Sequence, residues 1–339
     1  MSLFQDQVTK YNSNKKLTLV AYDLCLNQSM YRVPRKIVRE LERDFSIKLD
    51  PVNCPDKKKL NPLAEIYWGN RIELNMMNEM PNLKWVHFGS VGVDRLNNYT
   101  KKDILITSSK GLVTESIVTH VISLIGLFSR RIDVFFDNLG RPFNRNDYEK
   151  YFNNLKNFNE LNILIMGLGD IGSVLAEKLF FLNSKVDGVS RSKSENKFVL
   201  NQYNLKECLE HLHKYDFIVS LLPENNETKN FVNYDFFKKL SRNSIFLNVG
   251  RGSTVVEDDL LKALNNKILR KAILDVTTIE PLSKDSLIYK NKNIFLTPHI
   301  AAFSPTYWEL EEKLFRYNLK CYQNNEISKM KNLENPMVY

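Results

Sequence analysis

The chain has 339 residues, of which 43% are hydrophobic and 26% charged, and its net charge is +9. This length exceeds one ordinary domain and predicts two domains of unequal size, each with a buried core. The sequence has no run of about 18 apolar residues. Its first residues lack the basic start and apolar stretch of a signal peptide. We therefore expect a cytoplasmic protein without a membrane span.

The positive charge and the cysteines each suggest a function class that their distribution argues against. The lysines are scattered among asparagines, as in residues 12–16 and 290–293, with no basic block interleaved with aromatic residues. We therefore expect anionic small molecules, and no nucleic acid, as partners. No CxxC pair and no metal-ligand spacing with histidine occurs, which predicts reduced structural thiols and no metal site. The cysteines are Cys25, Cys54, Cys208 and Cys321.

The first third of the chain has the pattern of an α/β domain without a glycine-rich turn. A helical pattern over residues 34–45 separates the first two of its short strands. These strands are predicted at residues 17–22, 46–49, 64–68, 85–88 and 104–106. A long amphipathic helix over residues 114–131 follows, and then a polar, aromatic-rich connection over residues 141–159.

From residue 161 onward, apolar strand patterns alternate with helical ones. The helices include residues 172–182 and 256–264, and a further long helix covers residues 305–324. This alternation predicts a parallel, doubly wound sheet. Its strands are predicted at residues 163–166, 186–189, 217–222, 245–249, 272–276 and 294–296.

A glycine-rich turn follows the first of these strands directly and opens a helix. Gly167, Gly169 and Gly172 have the G-x-G-x-x-G spacing in the strand–turn–helix context of a dinucleotide site. The first glycine permits the tight turn, the second lets a pyrophosphate approach, and the third allows close packing of helix on strand. The N–H groups of the helix N-terminus can then bind the phosphates. The turn therefore predicts a dinucleotide cofactor.

The end of the next strand distinguishes NADP from NAD. Asp187 has roughly the spacing of the acidic residue that binds the ribose hydroxyl in NAD enzymes, but it lies inside the strand. Ser190-Arg191-Ser192 follows, and an Arg between two hydroxyls suits a 2′-phosphate, which a carboxylate would repel. We predict a preference for NADP(H), with NAD(H) as the other cofactor the site could accept. The alternative is a solvated Arg191 without a role in binding.

Three chemically complementary residues each follow a predicted strand of this sheet: Arg251, Glu280 and His299. Ligands of such sheets bind at the carboxyl ends of the strands, so the three side chains could converge. His299 can donate a proton near neutral pH, and Glu280 would stabilise its imidazolium form. Arg251 can bind a carboxylate and polarise a carbonyl. This set suits the reduction of a 2-oxo acid; the alternative is three surface charges at loop starts.

These residues belong to motifs that resemble the D-isomer-specific 2-hydroxyacid dehydrogenase family, over nearly the whole chain. In the family's order and near its spacing stand residues 167–172, Asn248-Val249-Gly250-Arg251-Gly252, Leu274-Asp275-Val276 through Glu280-Pro281-Leu282, and Thr297-Pro298-His299-Ile300-Ala301. The likeness extends to Leu83-Lys84-Trp85, Gly89-Ser90-Val91-Gly92-Val93-Asp94, Ser304-Pro305 and Tyr307-Trp308. The run from Ser190 to Ser192 looks like that of the family's NADPH-using glyoxylate and hydroxypyruvate reductases.

The resemblance implies a Rossmann doubly wound parallel sheet, residues 109–300, inserted in a flavodoxin-like α/β substrate domain of residues 1–108 and 301–339. It implies reduction of glyoxylate, hydroxypyruvate or a similar acid to the D-2-hydroxy acid, by a homodimer that pairs through residues 141–159 and 114–131. Arg251, Glu280 and His299 are the implied catalytic residues, and Asp275 would meet the nicotinamide amide. The predicted substrate-binding residues are Ser90, Val91, Gly92, Arg251 and His299. The predicted cofactor-binding residues are Gly167, Leu168, Gly169, Asp170, Ile171, Gly172, Ser190, Arg191, Ser192, Leu222, Pro223, Thr228, Val249, Gly250, Asp275 and Ala302.

The sequence also departs from the family pattern, and other functions stay open. Thr119 replaces a usual acidic residue, Thr277-Thr278 replaces a common aromatic–acid pair, and Asn183 replaces a frequent glycine, a change that the left-handed conformation of Asn tolerates. One alternative is a D-3-phosphoglycerate dehydrogenase-like enzyme, for which the chain is short. Another is a non-catalytic dinucleotide-sensing interaction protein, against which the intact catalytic trio argues.

Overall fold

A computed structural model describes residues 17–25, 33–54, 61–70, 72–93, 104–138, 155–191 and 195–334. The chain forms two compact units. One is the continuous segment Gly111–Ser304, and the other combines Met1–Lys110 with Pro305–Tyr339. Most of the predicted arm over residues 141–159 lies outside the described residues. Within the described ranges, no helix is both long and apolar enough to cross a membrane.

The first unit is built on a five-stranded parallel sheet in the order β2-β1-β3-β4-β5. This is the strand order of flavodoxin-like folds. The strands are β1 (Thr18–Cys25), β2 (Ile47–Cys54), β3 (Ile66–Trp68), β4 (Trp85–Phe88) and β5 (Leu105–Ser108). With the helices of both units numbered in chain order, this unit holds α1 (Arg35–Asp44), α2 (Leu74–Asn78) and α8 (Tyr307–Gln323).

Helix α8 buries one face in the core of the first unit. Its buried positions 311, 314, 315, 318 and 319 follow the i, i+3, i+4 spacing of a core-facing stripe. Phe315 in this stripe stacks on Trp68 with the ring centroids 4.2 Å apart. Two positions of the stripe are polar, Glu311 and Asn318, and both are fully buried. The apolar pattern that predicts the helix therefore carries two buried polar residues that need partners.

The second unit is built on a seven-stranded parallel sheet in the order β8-β7-β6-β9-β10-β11-β12. The chain reverses its direction of winding between β6 and β9, as in the Rossmann fold. The strands are β6 (Asn162–Met166), β7 (Lys185–Val189), β8 (Gln202–Tyr203), β9 (Phe217–Ser220), β10 (Ile245–Asn248), β11 (Lys271–Leu274) and β12 (Ile294–Leu296). The helices are α3 (Thr114–Ser129), α4 (Asp170–Phe181), α5 (Tyr234–Lys238), α6 (Glu257–Asn265) and α7 (Leu287–Lys290).

The predicted fold class is confirmed, with differences at the ends of elements. Strands β9, β10 and β11 end before the predicted residues, because their last apolar residues turn out of the sheet into loops. Strand β8 has two residues and was not predicted, since so short a segment shows no alternation. Asn183, which replaces a frequent family glycine after α4, has a φ of +62°. The left-handed conformation expected there is therefore present.

Candidate active site

The glycine turn at the end of β6 has the shape that its sequence predicts. Gly167 has a φ of +109°, a conformation that residues with a side chain rarely adopt. A Cβ on Gly172 would overlap the carbonyl group of Gly167, so α4 can lie this close to the turn only with glycine there. Helix α4 begins at Asp170, and its N-cap residue Gly169 provides no side-chain cap. No N-cap side chain therefore competes with a ligand at the start of this helix.

The surroundings of this turn fit the phosphates of a dinucleotide. A Cβ on Gly169 would meet no atom within 4 Å, so the space beside this residue is open. The uncapped start of α4 adds N–H donors and the positive end of the helix dipole. The backbone of Leu221 and Leu222, after β9, lies against Gly167 and Gly250 and forms another wall. The turn thus stands at the switch point of the sheet, where such cofactors bind.

Asp187 is committed to internal hydrogen bonds in the second unit. One carboxylate oxygen accepts from the backbone N–H and the side-chain amide of Asn201, both at 3.0 Å. The other accepts from the Tyr215 hydroxyl at 2.7 Å. Burial, followed by this hydrogen bond, raises the pKa of Tyr215, which therefore keeps the proton it donates. Asp187 is buried, so its position in the strand gives it a structural role.

The strand end beyond Asp187 presents the predicted 2′-phosphate residues. Arg191 is exposed, and no described side chain forms an ion pair with it. The hydroxyl of Ser190 accepts a hydrogen bond from the Gln202 side chain at 2.5 Å. Ser192 lies outside the described residues. A free guanidinium beside a fixed hydroxyl is a suitable donor set for a phosphate.

His299 and Glu280 form a hydrogen-bonded pair at the carboxyl ends of β12 and β11. His299 Nδ1 lies 2.6 Å from Glu280 Oε2, and the backbone N–H of Thr277 donates to Glu280 Oε1 at 3.0 Å. His299 has a φ of +55° and donates its own backbone N–H to the Asp275 carbonyl at 2.8 Å. The His299 side chain is 51% exposed and therefore accessible to a substrate.

The electrostatics of this pair suit a proton donor. The hydrogen bond that His299 donates to Glu280 is the largest influence on the pKa of His299, and it raises this pKa against the opposing effects of burial and of Arg251. Burial alone would raise the pKa of Glu280. The hydrogen bonds from His299 and Thr277 and the nearby positive charges outweigh burial and lower it. The pair therefore favours a carboxylate beside an imidazolium.

Arg251 stands in a loop whose backbone is fixed from within. The side chain of Asn248 accepts from the Gly250 N–H and donates to the Arg251 carbonyl, both at 3.0 Å. The Thr254 hydroxyl donates to the same carbonyl at 2.7 Å. Asn248 and Thr254 are fully buried. Arg251 lies near enough to His299 and Glu280 for its charge to lower the pKa values of both, so the three predicted residues are neighbours within this unit.

Asp275 supports the loop that carries His299. Its carboxylate accepts from the Thr297 hydroxyl at 2.6 Å and from the backbone N–H groups of Ile300 and Ala301 at 2.9 and 3.0 Å. His120 Nε2 lies 3.9 Å from the same carboxylate. Asp275 is buried, and its predicted contact with the nicotinamide amide stays a prediction. Its observed hydrogen bonds give it a second task, which is to hold the turn at His299.

The remaining predicted residues are distributed over both units. The hydroxyl of Thr228 is buried and donates to the Pro223 carbonyl at 2.6 Å, so it shapes the loop after β9. Leu222, Val249 and Gly250 stand at the ends of β9 and β10, and Leu168 lies against Gly188 of β7. Ala302 follows the His299 turn, and Ile171 lies in the first turn of α4. The predicted substrate-binding residues Ser90, Val91 and Gly92 belong to the first unit, directly after β4.

Sequence reasoning did not identify the residues whose hydrogen bonds fix the loops of the site. The sequence motifs include Asn248 but predict no role for it, and they predict none for Thr254 or Thr277. Their tasks depend on side-chain to backbone hydrogen bonds within loops. The usable signal was a polar residue at the buried end of a strand, as with Asn248, since such a side chain needs a partner.

Comparisons with known proteins agree with this geometry. The family profile described as "D-isomer specific 2-hydroxyacid dehydrogenase, NAD binding domain" matches residues 129–301. Glyoxylate/hydroxypyruvate reductase A of Escherichia fergusonii is 38% identical over 143 residues, which are 42% of this chain and 46% of that protein. Glyoxylate reductase of Pyrococcus horikoshii is 26% identical over 309 residues, which are 87% of this chain and 92% of that protein.

A solved structure has a similar fold over most of the chain. It is the NADPH-dependent glyoxylate/hydroxypyruvate reductase of Sinorhizobium meliloti in complex with NADP and sulfate, with a TM-score of 0.76 and 23% identity. The match covers 94% of this chain and 99% of that one. The family profile spans half of the chain and includes the glycine turn, Arg251, Glu280 and His299. Since fold, motifs and profile agree, the chain belongs to the D-isomer specific 2-hydroxyacid dehydrogenase family.

Proposed function

We propose that the chain is an NADPH-dependent reductase of a small 2-oxo acid of the glyoxylate or hydroxypyruvate kind, with a D-2-hydroxy acid as its product. The observation that carries the proposal is the pair of His299 and Glu280. Because Glu280 occupies Nδ1 of the ring, Nε2 is the nitrogen that can give a proton to the substrate. Relatives named glyoxylate and hydroxypyruvate reductases support the substrate class.

Each residue of the trio has a separate task in the proposed reaction. When bound, the reduced nicotinamide supplies a hydride to the 2-oxo carbon. His299 donates its Nε2 proton to the oxygen that becomes the hydroxyl. The guanidinium of Arg251 binds the carboxylate and polarises the carbonyl, with two parallel donors that Lys would not provide. The backbone N–H groups of Ser90, Val91 and Gly92, in the first unit, are proposed as further substrate-binding groups.

NADP(H) is proposed as the cofactor, with NAD(H) used less well. The start of α4 would hold the pyrophosphate, and Arg191 with Ser190 would hold the 2′-phosphate. Asp187, the residue nearest to the spacing of an NAD-selecting acid, has both carboxylate oxygens engaged inside the unit. The similar S. meliloti reductase, which is described as NADPH-dependent and in complex with NADP, supports this choice.

A substrate panel tests the proposed function. The purified protein is mixed with NADPH or NADH and with glyoxylate, hydroxypyruvate, pyruvate, 2-ketogluconate or 3-phosphohydroxypyruvate, while nicotinamide absorbance is followed. We expect turnover with a short 2-oxo acid and NADPH, and a D-configured product by chiral chromatography. Preference for 3-phosphohydroxypyruvate would favour a phosphoglycerate dehydrogenase. Tight NADPH binding without turnover of any acid would favour a sensor and contradict the proposal.

Glu280→Gln is expected to move the pH dependence of reduction to lower pH. Reduction needs protonated His299, so kcat/KM is level at low pH and falls as pH rises through the pKa of His299. In the native protein the hydrogen bond that His299 donates to Glu280 raises this pKa above its ordinary value of 6.5. The variant lacks the negative charge, so the fall should begin at lower pH. Profiles that coincide with the native one would contradict the role of Glu280, and Glu210→Gln, at an exposed site, serves as the control.

We also propose that the protein is a cytoplasmic homodimer. The pairing, through α3 and residues 141–159, follows from the family resemblance. The location agrees with Cys208 and Cys321, which are buried free thiols of the kind that a reducing compartment maintains.

A further inference from the structure

A carboxylate lies fully buried in the first unit, beneath the loop that follows β4. Glu311 of α8 accepts from the indole N–H of Trp68 at 2.8 Å and from the Ser109 hydroxyl at 2.5 Å. His87 Nε2 lies 3.2 Å from the same carboxylate, and both side chains have no exposed surface. A buried acid is costly at a position where leucine would complete the apolar stripe. Its hydrogen-bond partners indicate what it is used for.

These partners lead to the carbonyl groups at the start of the loop. Ser109 Oγ lies 2.9 Å from the Phe88 carbonyl, and the Ser109 backbone N–H donates to the Ser90 carbonyl at 3.0 Å. The hydroxyl of Tyr307, one turn before Glu311 on α8, donates to the Gly89 carbonyl at 2.6 Å. Because the single Ser109 hydroxyl proton is donated to Glu311, the carbonyls with a donor of their own are those of Gly89, held by Tyr307, and Ser90, held by the Ser109 backbone N–H.

The held carbonyls determine where the N–H groups of the loop point. In a trans peptide the N–H and the C=O point in opposite directions, so the N–H groups of Ser90 and Val91 face away from Tyr307 and Ser109. Within the described residues neither N–H donates a hydrogen bond, and both residues are partly exposed. Adjacent free amides of this kind can bind an anion. The loop is thus preset for a carboxylate.

Gly89 and Tyr307 fit each other closely. A Cβ on Gly89 would lie 2.9 Å from the Tyr307 hydroxyl oxygen, so any side chain there would press on the group that holds the carbonyl. Burial, followed by the charge of Glu311, raises the pKa of Tyr307. The phenol therefore keeps its proton and acts as the donor to Gly89.

We propose that Tyr307 and Glu311 are positioning residues for the substrate. Tyr307 acts directly and Glu311 acts through Ser109, and together they fix the peptide groups that join residues 89–91, so that the Ser90 and Val91 amides can hold the substrate carboxylate. This inference rests on the proposed function, since it assigns the support of the proposed carboxylate site. A merely structural role would lower stability without a selective effect on substrate binding.

The test compares two tyrosine variants of the full chain. Tyr307→Phe removes only the hydroxyl that holds Gly89. Tyr322→Phe, further along the same helix, removes the hydroxyl of a ring that packs against Trp85 and serves as the matched control. We expect Tyr307→Phe to raise KM for the 2-oxo acid about tenfold with kcat and NADPH affinity close to native. The control should leave all three constants unchanged.

A serine pair and hydrogen exchange make the result decisive. Ser109→Ala should raise KM for the 2-oxo acid, and Glu311→Gln should raise it as well. Ser108→Ala should not raise KM, because the Ser108 hydroxyl bonds to Glu334 instead. The amides of residues 89–92 should exchange faster in Tyr307→Phe than in Tyr322→Phe. Equal KM values, or equal losses of substrate and NADPH binding, would overturn the proposal. If the native protein reduces no 2-oxo acid, the proposed function fails, while hydrogen exchange still decides whether Tyr307 holds the loop.

Discussion

Replacing His299 by alanine is expected to lower kcat for 2-oxo acid reduction by about 10²- to 10⁴-fold, the usual contribution of a positioned acid. His299 is bound to Glu280 through Nδ1, and its pKa is raised, so at neutral pH it holds the proton that the product alkoxide needs. Alanine leaves water as the only donor. The glycine turn and α4 do not involve His299, so NADPH affinity should stay close to native. Steady-state kinetics and fluorescence titration with NADPH measure the two effects.

The control for this prediction is His213→Ala, which removes an exposed histidine of the same unit. It should leave kcat and NADPH affinity unchanged. A His299→Ala variant that retains a tenth or more of native kcat would show that another group donates the proton. A variant that loses NADPH binding as well would point to a collapsed turn, because the His299 backbone is bonded to Asp275.

The features that could be predicted from sequence are those encoded by neighbouring residues. The glycine turn was predictable because the spacing of Gly167, Gly169 and Gly172 and the apolar run before it are local. The convergence of Arg251, Glu280 and His299 was predictable because parallel strands end at one edge of a sheet. The parallel, doubly wound sheet followed from the alternation of elements and the resemblance. In each case the residue type and its place along the chain carried the information.

What could not be predicted depends on residues far apart in sequence. Glu311 occupies a core position of an amphipathic helix, and its partners Trp68 and Ser109 are 243 and 202 residues away in the chain. No periodicity shows that a buried acid there will be bonded. The structural role of Asp187 likewise depends on Tyr215, 28 residues later. The spacing in the sequence could not decide whether Asp187 binds a ribose or is a structural residue of the strand.

Arg191→Asp is expected to lower kcat/KM for NADPH by about 10²-fold or more, with a much smaller change for NADH. The exposed guanidinium is the one cation at the described end of β7, and charge-assisted hydrogen bonds to phosphate are among the stronger ones. A carboxylate at this site removes those bonds and repels the 2′-phosphate, which NADH lacks. Initial rates at varied cofactor concentration, with a saturating 2-oxo acid, give both constants.

Two variants of the same unit separate cofactor choice from general damage. Arg242→Asp makes the same charge reversal at an exposed residue just before the amino end of β10, and it should change neither constant. Asp187→Asn should lower the free energy of unfolding by about 1–3 kcal/mol, because it disturbs buried hydrogen bonds, yet leave the NADPH-to-NADH ratio native. Equal losses with both cofactors in Arg191→Asp would refute the 2′-phosphate role. A changed NADPH-to-NADH ratio in Asp187→Asn would show that the Asp187 carboxylate determines the cofactor preference.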